Sequence, residues 1–315
     1  MELRMIHESY HSCEEDIAAS VAASLNRPWA LMYCHAWGFE YSNSAGTIGQ
    51  RIHEGTSDFY DNLRQYHGIE FKEQGVFMKD TLLSFLSKKK SKYPVVVSVD
   101  DLSCPWMPAN PLINRSHPVL VKEVFDNGFS CMDPYFLIED VFFPLDCIPE
   151  TGAKVHVVNL HDIKTDNSFF ESQIIQSSYN IAKKGDMANA LCADMHELIS
   201  LDSEIAVHNV LVRSDLLDRF TYLARRRKQY AQFIIATDDL MKAKYTWTYT
   251  LFNNFASSWE MAYKKLMKSF CMSSWSKDKS DLITLICKTL EQEISLATQI
   301  TTKELSGTAL QMCSS

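Results

Sequence analysis

The hydrophobic residues in the second half of the chain recur at the spacing of amphipathic helices. One run contains Ile181, Met187, Leu191, Met195 and Leu198, and a later run contains Leu282, Leu285, Ile286, Leu290 and Ile294. All nine prolines lie at or before Pro149, and only two of the ten glycines, Gly185 and Gly307, lie after residue 152. Because helix interiors exclude proline and penalise glycine, we predict an all-helical domain over residues 161–315.

The first part of the chain instead contains short runs of β-branched residues. These runs predict strands over Tyr93–Asp101, His117–Val124, Phe129–Met132 and Lys154–Asn159. Asp126–Asn127–Gly128 stands between the second and third runs and is a strong hairpin signal. We therefore predict an α+β domain over residues 1–160, with at least one antiparallel hairpin in its sheet.

A cysteine stands at the start of a well-marked helix in the first domain. Ser12 is the predicted N-cap, and Glu15, three residues later, completes a capping box. Cys13 then lies in the first turn, where the helix dipole and unpaired backbone N–H groups favour a thiolate. The neighbouring acids, Glu14 to Asp16, oppose this effect because negative charge raises a thiol pKa. Cys13 is thus a candidate nucleophile, or a structural cysteine.

A nucleophilic thiol needs a base, and His117 is the candidate. It opens a predicted strand, and Asp133 closes the returning strand, so a hairpin brings the two together. A carboxylate there holds the imidazole in one tautomer. A strict two-residue turn at Asn127–Gly128 places Asp133 opposite Lys122 instead. The pairing therefore requires a longer loop or a β-bulge.

Composition and net charge limit the classes of protein to which this chain can belong. The chain has 315 residues, of which 46% are hydrophobic, and a formal net charge of −8. This length excludes a disulfide-stapled miniprotein, and the acidic charge argues against binding to nucleic acid. The nine cysteines include no CxxC pair, so we predict reduced thiols in the cytoplasm. No signal peptide or membrane span is apparent, and no membrane partner is predicted.

Other chemistry-bearing patterns are weak or missing. We predict no metal site and no bound nucleotide, because the chain lacks the corresponding zinc and phosphate-loop motifs. A basic run, Arg225–Lys228, is interpreted as a solvated helix face, with docking of an acidic partner as the alternative.

The order of Cys13, His117 and Asp133–Pro134 resembles that of the papain-like cysteine peptidase superfamily. The pattern His117-Pro-Val-Leu-Val through Asp133-Pro134 is similar to the HxVxV…DP pattern of its bacteriocin-leader-processing branch. Members of that branch usually carry a Gln six residues before the nucleophile that helps bind the oxyanion. His7 occupies that position here, so it is the corresponding oxyanion candidate.

The arrangement also resembles the butirosin biosynthesis protein H (BtrH) family, which pairs a papain-like domain with a helical domain. The similar residues are His11–Asp16, Val95–Asp100 with Pro105–Trp106, and the His117…Asp133 hairpin. The resemblance implies an acyltransferase of natural-product biosynthesis. Such an enzyme moves an acyl, aminoacyl or peptidyl group from a carrier-protein thioester through acyl-Cys13 to an amine acceptor, with His117 as base. The phosphopantetheine arm of the acyl or peptidyl carrier protein is the donor, and the enzyme itself binds no cofactor.

Two further residues are candidates for substrate binding. Asp100, at the end of a predicted strand, is placed to bind the ammonium group of the acceptor, or is simply a turn acid. Trp106, in a proline-rich loop, lines an acyl channel or packs within the loop.

Two other functions fit the same residues. One is a thioesterase or cysteine peptidase, in which water replaces the amine. The other is a non-catalytic binding module that keeps the fold, which the replacement of Gln by His7 and the acids behind Cys13 both suggest.

Overall fold

The computed structural model describes residues 2–53, 59–89, 93–107, 115–162, 167–208, 211–238 and 241–312. Its helices are α1 (Cys13–Ser24), α2 (Ile48–Arg51), α3 (Phe59–Asn62), α4 (Lys79–Lys88), α5 (Asn167–Ala182), α6 (Gly185–Glu197), α7 (Asp215–Ala236), α8 (Tyr249–Cys271) and α9 (Trp275–Met312). Its strands are β1 (Glu40–Tyr41), β2 (Ile52–His53), β3 (Ile69–Phe77), β4 (Val95–Asp100), β5 (Ser116–Phe125), β6 (Gly128–Asp133), β7 (Ile138–Pro144), β8 (Ala153–Leu160), β9 (Ala206–His208) and β10 (Leu211–Arg213). The fold class is therefore α+β, as predicted.

The chain divides into two compact units. The first comprises Met1–Met32 and Asp58–Lys164, and the second comprises Tyr33–Ser57 and Thr165–Ser315. The predicted domains, 1–160 and 161–315, were each continuous in sequence. In the structure the segment Tyr33–Ser57 belongs to the second unit. The chain therefore passes from one unit to the other three times, where the prediction had a single boundary.

The first unit is built on a six-stranded antiparallel sheet. Its strand order is β3-β8-β4-β5-β6-β7. All four strands that the sequence predicted are present in it, and β3 and β7 are the two edge strands that the patterns did not reveal. Both edge strands carry charged and exposed residues, which obscure the alternation of hydrophobic and polar residues expected of a half-buried strand.

Helix α1 packs against β5 of this sheet. It begins at Cys13, and both bonds of the predicted capping box are present. The backbone N–H of Glu15 donates to Oγ of Ser12 at 3.2 Å, and the N–H of Ser12 donates to Oε2 of Glu15 at 2.7 Å. These bonds fix where the helix begins and therefore where Cys13 stands.

The β5–β6 hairpin has the bulge that the pairing of His117 with Asp133 requires. Its turn residues are Asp126 and Asn127, one position earlier than predicted, and Phe125 pairs with Gly128. The register shifts between Val121 and Glu123, so that Lys122 is an extra residue. Beyond the bulge Leu120 pairs with Met132, which brings Asp133 beside Val119, diagonally across from His117.

The second unit consists mainly of helices. Helix α9 packs against α5, α6 and α8, and α7 packs against α8. Its buried side chains include Phe220, Phe233, Phe252, Trp259, Leu282 and Ile286. The prediction that this part of the chain is all-helical is wrong in detail, because β9 and β10 form a short antiparallel hairpin within it. Such three-residue strands are too short to give a period-2 pattern.

The basic run in α7 is largely internal, which corrects its interpretation as a solvated face or docking patch. Arg227 is fully buried and forms an ion pair with Glu293 of α9. Arg226 is also buried and donates to the backbone oxygen of His35 at 3.2 Å. Lys228 forms an ion pair with Glu260. Two of the four basic residues are therefore internal, and Lys228 is already paired.

The prediction of nine reduced cysteines is wrong for one pair. Cys192 of α6 and Cys287 of α9 form a disulfide, with their Cα atoms 6.1 Å apart. Their 95-residue separation carries no local signal, because only the packing of α6 on α9 brings them together. The described free cysteines are Cys13, Cys34, Cys104, Cys131, Cys147 and Cys271, whereas Cys313 lies outside the described residues. Within the described ranges, no helix has both the length and the apolar composition to cross a bilayer.

Candidate active site

Cys13 is a half-buried thiol at the first turn of α1. The backbone N–H of Glu14 donates to its sulfur, which lowers the pKa, but other effects dominate. Burial is the largest of them, followed by the charge of Glu14 and, more weakly, those of Asp101 and Asp133. Together they raise the pKa of Cys13 to about 11. Cys13 at neutral pH is therefore a thiol, and a nucleophilic role would require a base beside it.

His117 and Asp133 form the predicted pair. Nε2–H of His117 donates to Oδ2 of Asp133 at 2.7 Å, and both side chains are almost completely buried. An ionised carboxylate only accepts hydrogen bonds, so Nε2 carries the proton in the neutral imidazole. Nδ1 is then the nitrogen that can take up a proton. The pair therefore has the tautomer that a general base requires.

Asp133 is held by two further donors. The indole Nε1–H of Trp106 donates to the same Oδ2 at 2.7 Å, and the backbone N–H of Phe136 donates to Oδ1 at 3.3 Å. The ring of Trp106 packs edge-on against Phe143, with their centroids 5.8 Å apart. The structure thus shows Trp106 orienting the carboxylate that orients His117. Its predicted contact with an acyl chain stays a prediction, and residues 108–111 of the same proline-rich loop lie outside the described residues.

His7 belongs to a second carboxylate–imidazole cluster. Nδ1–H of His7 donates to Oδ2 of Asp16 at 2.7 Å, and Nδ1–H of His11 donates to Oδ1 at 2.8 Å. The backbone N–H of Glu8 adds a third donor at 3.3 Å. Asp16 is fully buried, and on helix α1 it lies three residues from Cys13, on the same face.

The two clusters meet at one aromatic ring. The rings of His7 and His117 each lie edge-on to Tyr135, both with a centroid distance of 6.2 Å. Tyr135 stands in the turn between β6 and β7 and is 41% exposed. His7 and His117 therefore contact the same aromatic ring, whereas the oxyanion role predicted for His7 stays a prediction. Its Nδ1 is occupied, however, so a neutral His7 presents an acceptor at Nε2, whereas an oxyanion needs a donor.

Asp100 and its neighbour Asp101 differ in their relation to Cys13. Asp100 ends β4, pairing with Ser116, while Val99 pairs with His117. Cross-strand partners share a face and successive residues alternate, so Asp100 and His117 lie on opposite faces of the sheet. Asp101 follows in a 3-10 turn, and its charge contributes to the raised pKa of Cys13. Asp101 is thus the better placed of the two acids to face a ligand at Cys13.

A cavity of about 590 Å³ lies elsewhere in the first unit. It is lined by Leu86, Val95, Val121 and Met132, among others, but by none of the six predicted site residues. The described residues also contain no cluster of three or more His, Cys, Asp or Glu side chains arranged to hold a metal ion.

Sequence reasoning missed two features of the site. It treated Asp16 only as a charge that raises the pKa of Cys13, although Asp16 anchors two histidines. The spacing of His7, His11 and Asp16 around a helix start was a visible signal. It also missed Tyr135, whose position beside both histidines follows from the β6–β7 turn and has no signal in the sequence.

No protein-family model matches the chain, and no curated protein matches its sequence.

Proposed function

We propose that this protein is a cysteine-nucleophile acyltransferase with a papain-like catalytic unit, acting in the manner implied by the resemblance to the BtrH family. The observation that carries the proposal is the Asp133-anchored imidazole of His117 on β5, the strand against which the helix headed by Cys13 packs. A thiol at a helix start, a base whose second ring nitrogen is not engaged by its carboxylate, and a buried carboxylate that orients the base are the parts needed for covalent catalysis.

The proposed donor is an acyl or peptidyl thioester on the phosphopantetheine arm of a carrier protein. Because the pKa of Cys13 is raised to about 11, attack is coupled to proton transfer to Nδ1 of His117. A bond forms between the Cys13 sulfur and the acyl carbon, and the bond from that carbon to the pantetheine sulfur breaks. The pantetheine thiolate leaves with the proton from His117. Backbone N–H groups at the start of α1 stabilise the oxyanion.

The proposed acceptor is an amine. The charges of Glu14, Asp101 and Asp133 all act on Cys13, so its surroundings are negative. A negative site attracts an ammonium group and disfavours an anionic acceptor. Attack by the deprotonated amine on acyl-Cys13 then gives an amide and regenerates the thiol. The reaction is proposed to take place in the cytoplasm.

A thioesterase or cysteine peptidase is the second candidate, because the same acyl-enzyme reacts with water when no amine is seated. The half-buried position of Cys13 favours transfer over hydrolysis, since exclusion of water protects the intermediate. A non-catalytic module is the third candidate, and it is favoured by the raised pKa of Cys13.

The test is intact-mass analysis after mixing the protein with an acyl-pantetheine thioester. Cys13→Ala removes the proposed nucleophile. Cys271→Ala is the matched control, because Cys271 is an exposed free cysteine and would react non-specifically. We expect one acyl adduct on the wild type and on Cys271→Ala, none on Cys13→Ala, and faster discharge with an added amine than in buffer.

Each of the other outcomes would support a different function. Discharge at one rate with and without amine would make the protein a thioesterase. An adduct that disappears only in Cys271→Ala would show adventitious chemistry and would refute a nucleophilic role for Cys13. Absence of any adduct, with carrier-bound as well as free thioesters, would favour the binding module.

A further inference from the structure

We propose that His7, held by Asp16, is a second general base, which takes the proton of the acceptor's ammonium group, while His117 serves the thiol. This inference rests on the proposed acyl transfer and assigns the base of its second half. It also replaces the oxyanion role suggested for His7 by sequence position.

The hydrogen bonds of His7 define which proton it can handle. Asp16 is fully buried and accepts from three N–H donors, one of which is Nδ1–H of His7 at 2.7 Å. Nε2 therefore carries the lone pair of the neutral ring. Asp16 also stabilises the imidazolium that forms when Nε2 takes a proton. The dyad matches His117–Asp133 in its parts, with the two ring nitrogens exchanged.

Exposure distinguishes the two imidazoles. The side chain of His117 is 3% exposed, whereas that of His7 is 25% exposed. Both lie edge-on to Tyr135, so they flank the same ring. A base that exchanges protons with water and with an incoming substrate must reach solvent, which the more exposed His7 does. His117, shielded from water, is suited to the transfer between Cys13 and the departing sulfur.

The negative surroundings of Cys13 explain why a second base is needed. Carboxylates that attract an ammonium group also hold its proton, because they stabilise the charged form. An ammonium nitrogen has no lone pair with which to attack the acyl carbon. His11 does not fill this role, because its side chain is completely buried on the same carboxylate.

Two protons leave the acceptor nitrogen in the second half reaction. Nε2 of His7 takes one proton from the bound ammonium group and later releases it to water. The neutral amine attacks acyl-Cys13, so that a carbon–nitrogen bond forms and the carbon–sulfur bond to Cys13 breaks. A second proton on nitrogen passes through His117 to the departing Cys13 sulfur. An amide and a neutral thiol result, and both histidines return to their neutral forms.

The test separates discharge of acyl-Cys13 by two kinds of amine. The acyl-enzyme is formed with the acyl-pantetheine thioester, desalted, and mixed at pH 7 with propylamine, which is protonated, or with hydroxylamine, which is largely unprotonated. We expect His7→Gln and His7→Ala each to slow discharge by propylamine by about a hundredfold or more, and discharge by hydroxylamine by less than about threefold. His11→Gln, which disturbs the same carboxylate, is the comparison variant and is expected to have the smaller effect on propylamine.

His7→Gln distinguishes the base from an oxyanion donor, because a glutamine amide donates a hydrogen bond but does not take up a proton. Wild-type discharge by propylamine in His7→Gln would overturn the proposal. Equal losses with both amines, or an equal loss in His11→Gln, would also overturn it by showing a structural effect. If the wild type forms no acyl-enzyme at all, the proposed function fails and the role of His7 fails with it. Normal acylation with unaltered propylamine discharge refutes the role of His7 alone.

Discussion

Each of the two units buries a carboxylate with several hydrogen bonds, but the partners differ in kind. In the second unit Glu293 accepts from the guanidinium of Arg227, from Nε1 of Trp37 at 3.0 Å and from Nε1 of Trp259 at 3.0 Å. Arg227 completes its own bonds by donating to the backbone oxygen of Gly38 at 2.8 Å. In the first unit Asp133 accepts instead from an imidazole, an indole and a backbone N–H.

The difference between these partners separates a structural role from a chemical one. A guanidinium is a permanent cation, and the Arg227–Glu293 pair fixes the segment carrying Trp37 and Gly38. An imidazole can pass a proton from one group to another, which is the role proposed for His117 on Asp133. The two sites are equally buried, and only the one with a titratable partner fits the proposed catalysis.

The largest expected effect comes from removing the titratable partner. His117→Ala is expected to slow acylation of Cys13 by about 10² to 10⁴-fold at pH 7. The loss should shrink as the pH approaches about 11, because Cys13 then ionises without a base. Stopped-flow or quenched mass analysis across pH measures this, and His161→Ala, which changes a half-exposed histidine paired with Glu70, is the control. A loss that is independent of pH would contradict the assignment of His117 as the base for the thiol.

Breaking the Arg227–Glu293 ion pair should instead lower the stability of the folded protein. Arg227→Met leaves Glu293 buried without its cation, and we expect the free energy of unfolding to fall by about 3–5 kcal/mol. Chemical denaturation measures the loss, and hydrogen exchange locates it in the second unit. Lys228→Met in the partly exposed pair with Glu260 should cost less than about 1 kcal/mol. Equal costs for the two variants would show that burial of the Arg227 pair does not matter.

The disulfide is a second fixed element of the helical unit. Replacing Cys192 and Cys287 together by Ser opens a loop of 95 residues. We expect a loss of about 2–4 kcal/mol relative to the oxidised protein. The same loss should follow when the wild type is denatured under reducing conditions. If the reductant leaves the wild type unchanged while the double variant is destabilised, packing of the two side chains, and not the covalent bond, is responsible.

The smallest expected change in rate comes from two indoles, Trp37 and Trp106, that each donate to a buried carboxylate. Trp37→Phe and Trp106→Phe each remove one N–H donated to a buried carboxylate. Each should cost about 1.5–3 kcal/mol of stability. Only Trp106→Phe should also slow acylation, by roughly tenfold, because Asp133 orients His117 whereas Glu293 orients no base. Parallel denaturation and acylation assays test this, and a rate loss in Trp37→Phe would contradict the division of roles.

Local features of the fold could be predicted from the sequence alone. The capping box of Ser12 and Glu15 fixed the start of α1 and hence the place of Cys13. Apolar runs fixed four strands of the sheet, and the mismatch in hairpin register required the bulge that Lys122 forms. These features follow from hydrogen bonds and side-chain alternation among near neighbours in the chain, which the sequence displays directly.

Only the tertiary structure decided which charged side chains are buried and which partners neutralise them. Arg227 and Glu293 lie 66 residues apart, and nothing near either one in sequence reveals the pair. The assignment of Tyr33–Ser57 to the second unit and the approach of His7 to Tyr135 likewise depend on contacts between distant segments. The free-energy cost of burying a charge depends on the partner that lies beside it in the folded structure. The sequence therefore identifies the candidate charged groups. Packing decides which of them stabilise the fold and which are placed to exchange a proton.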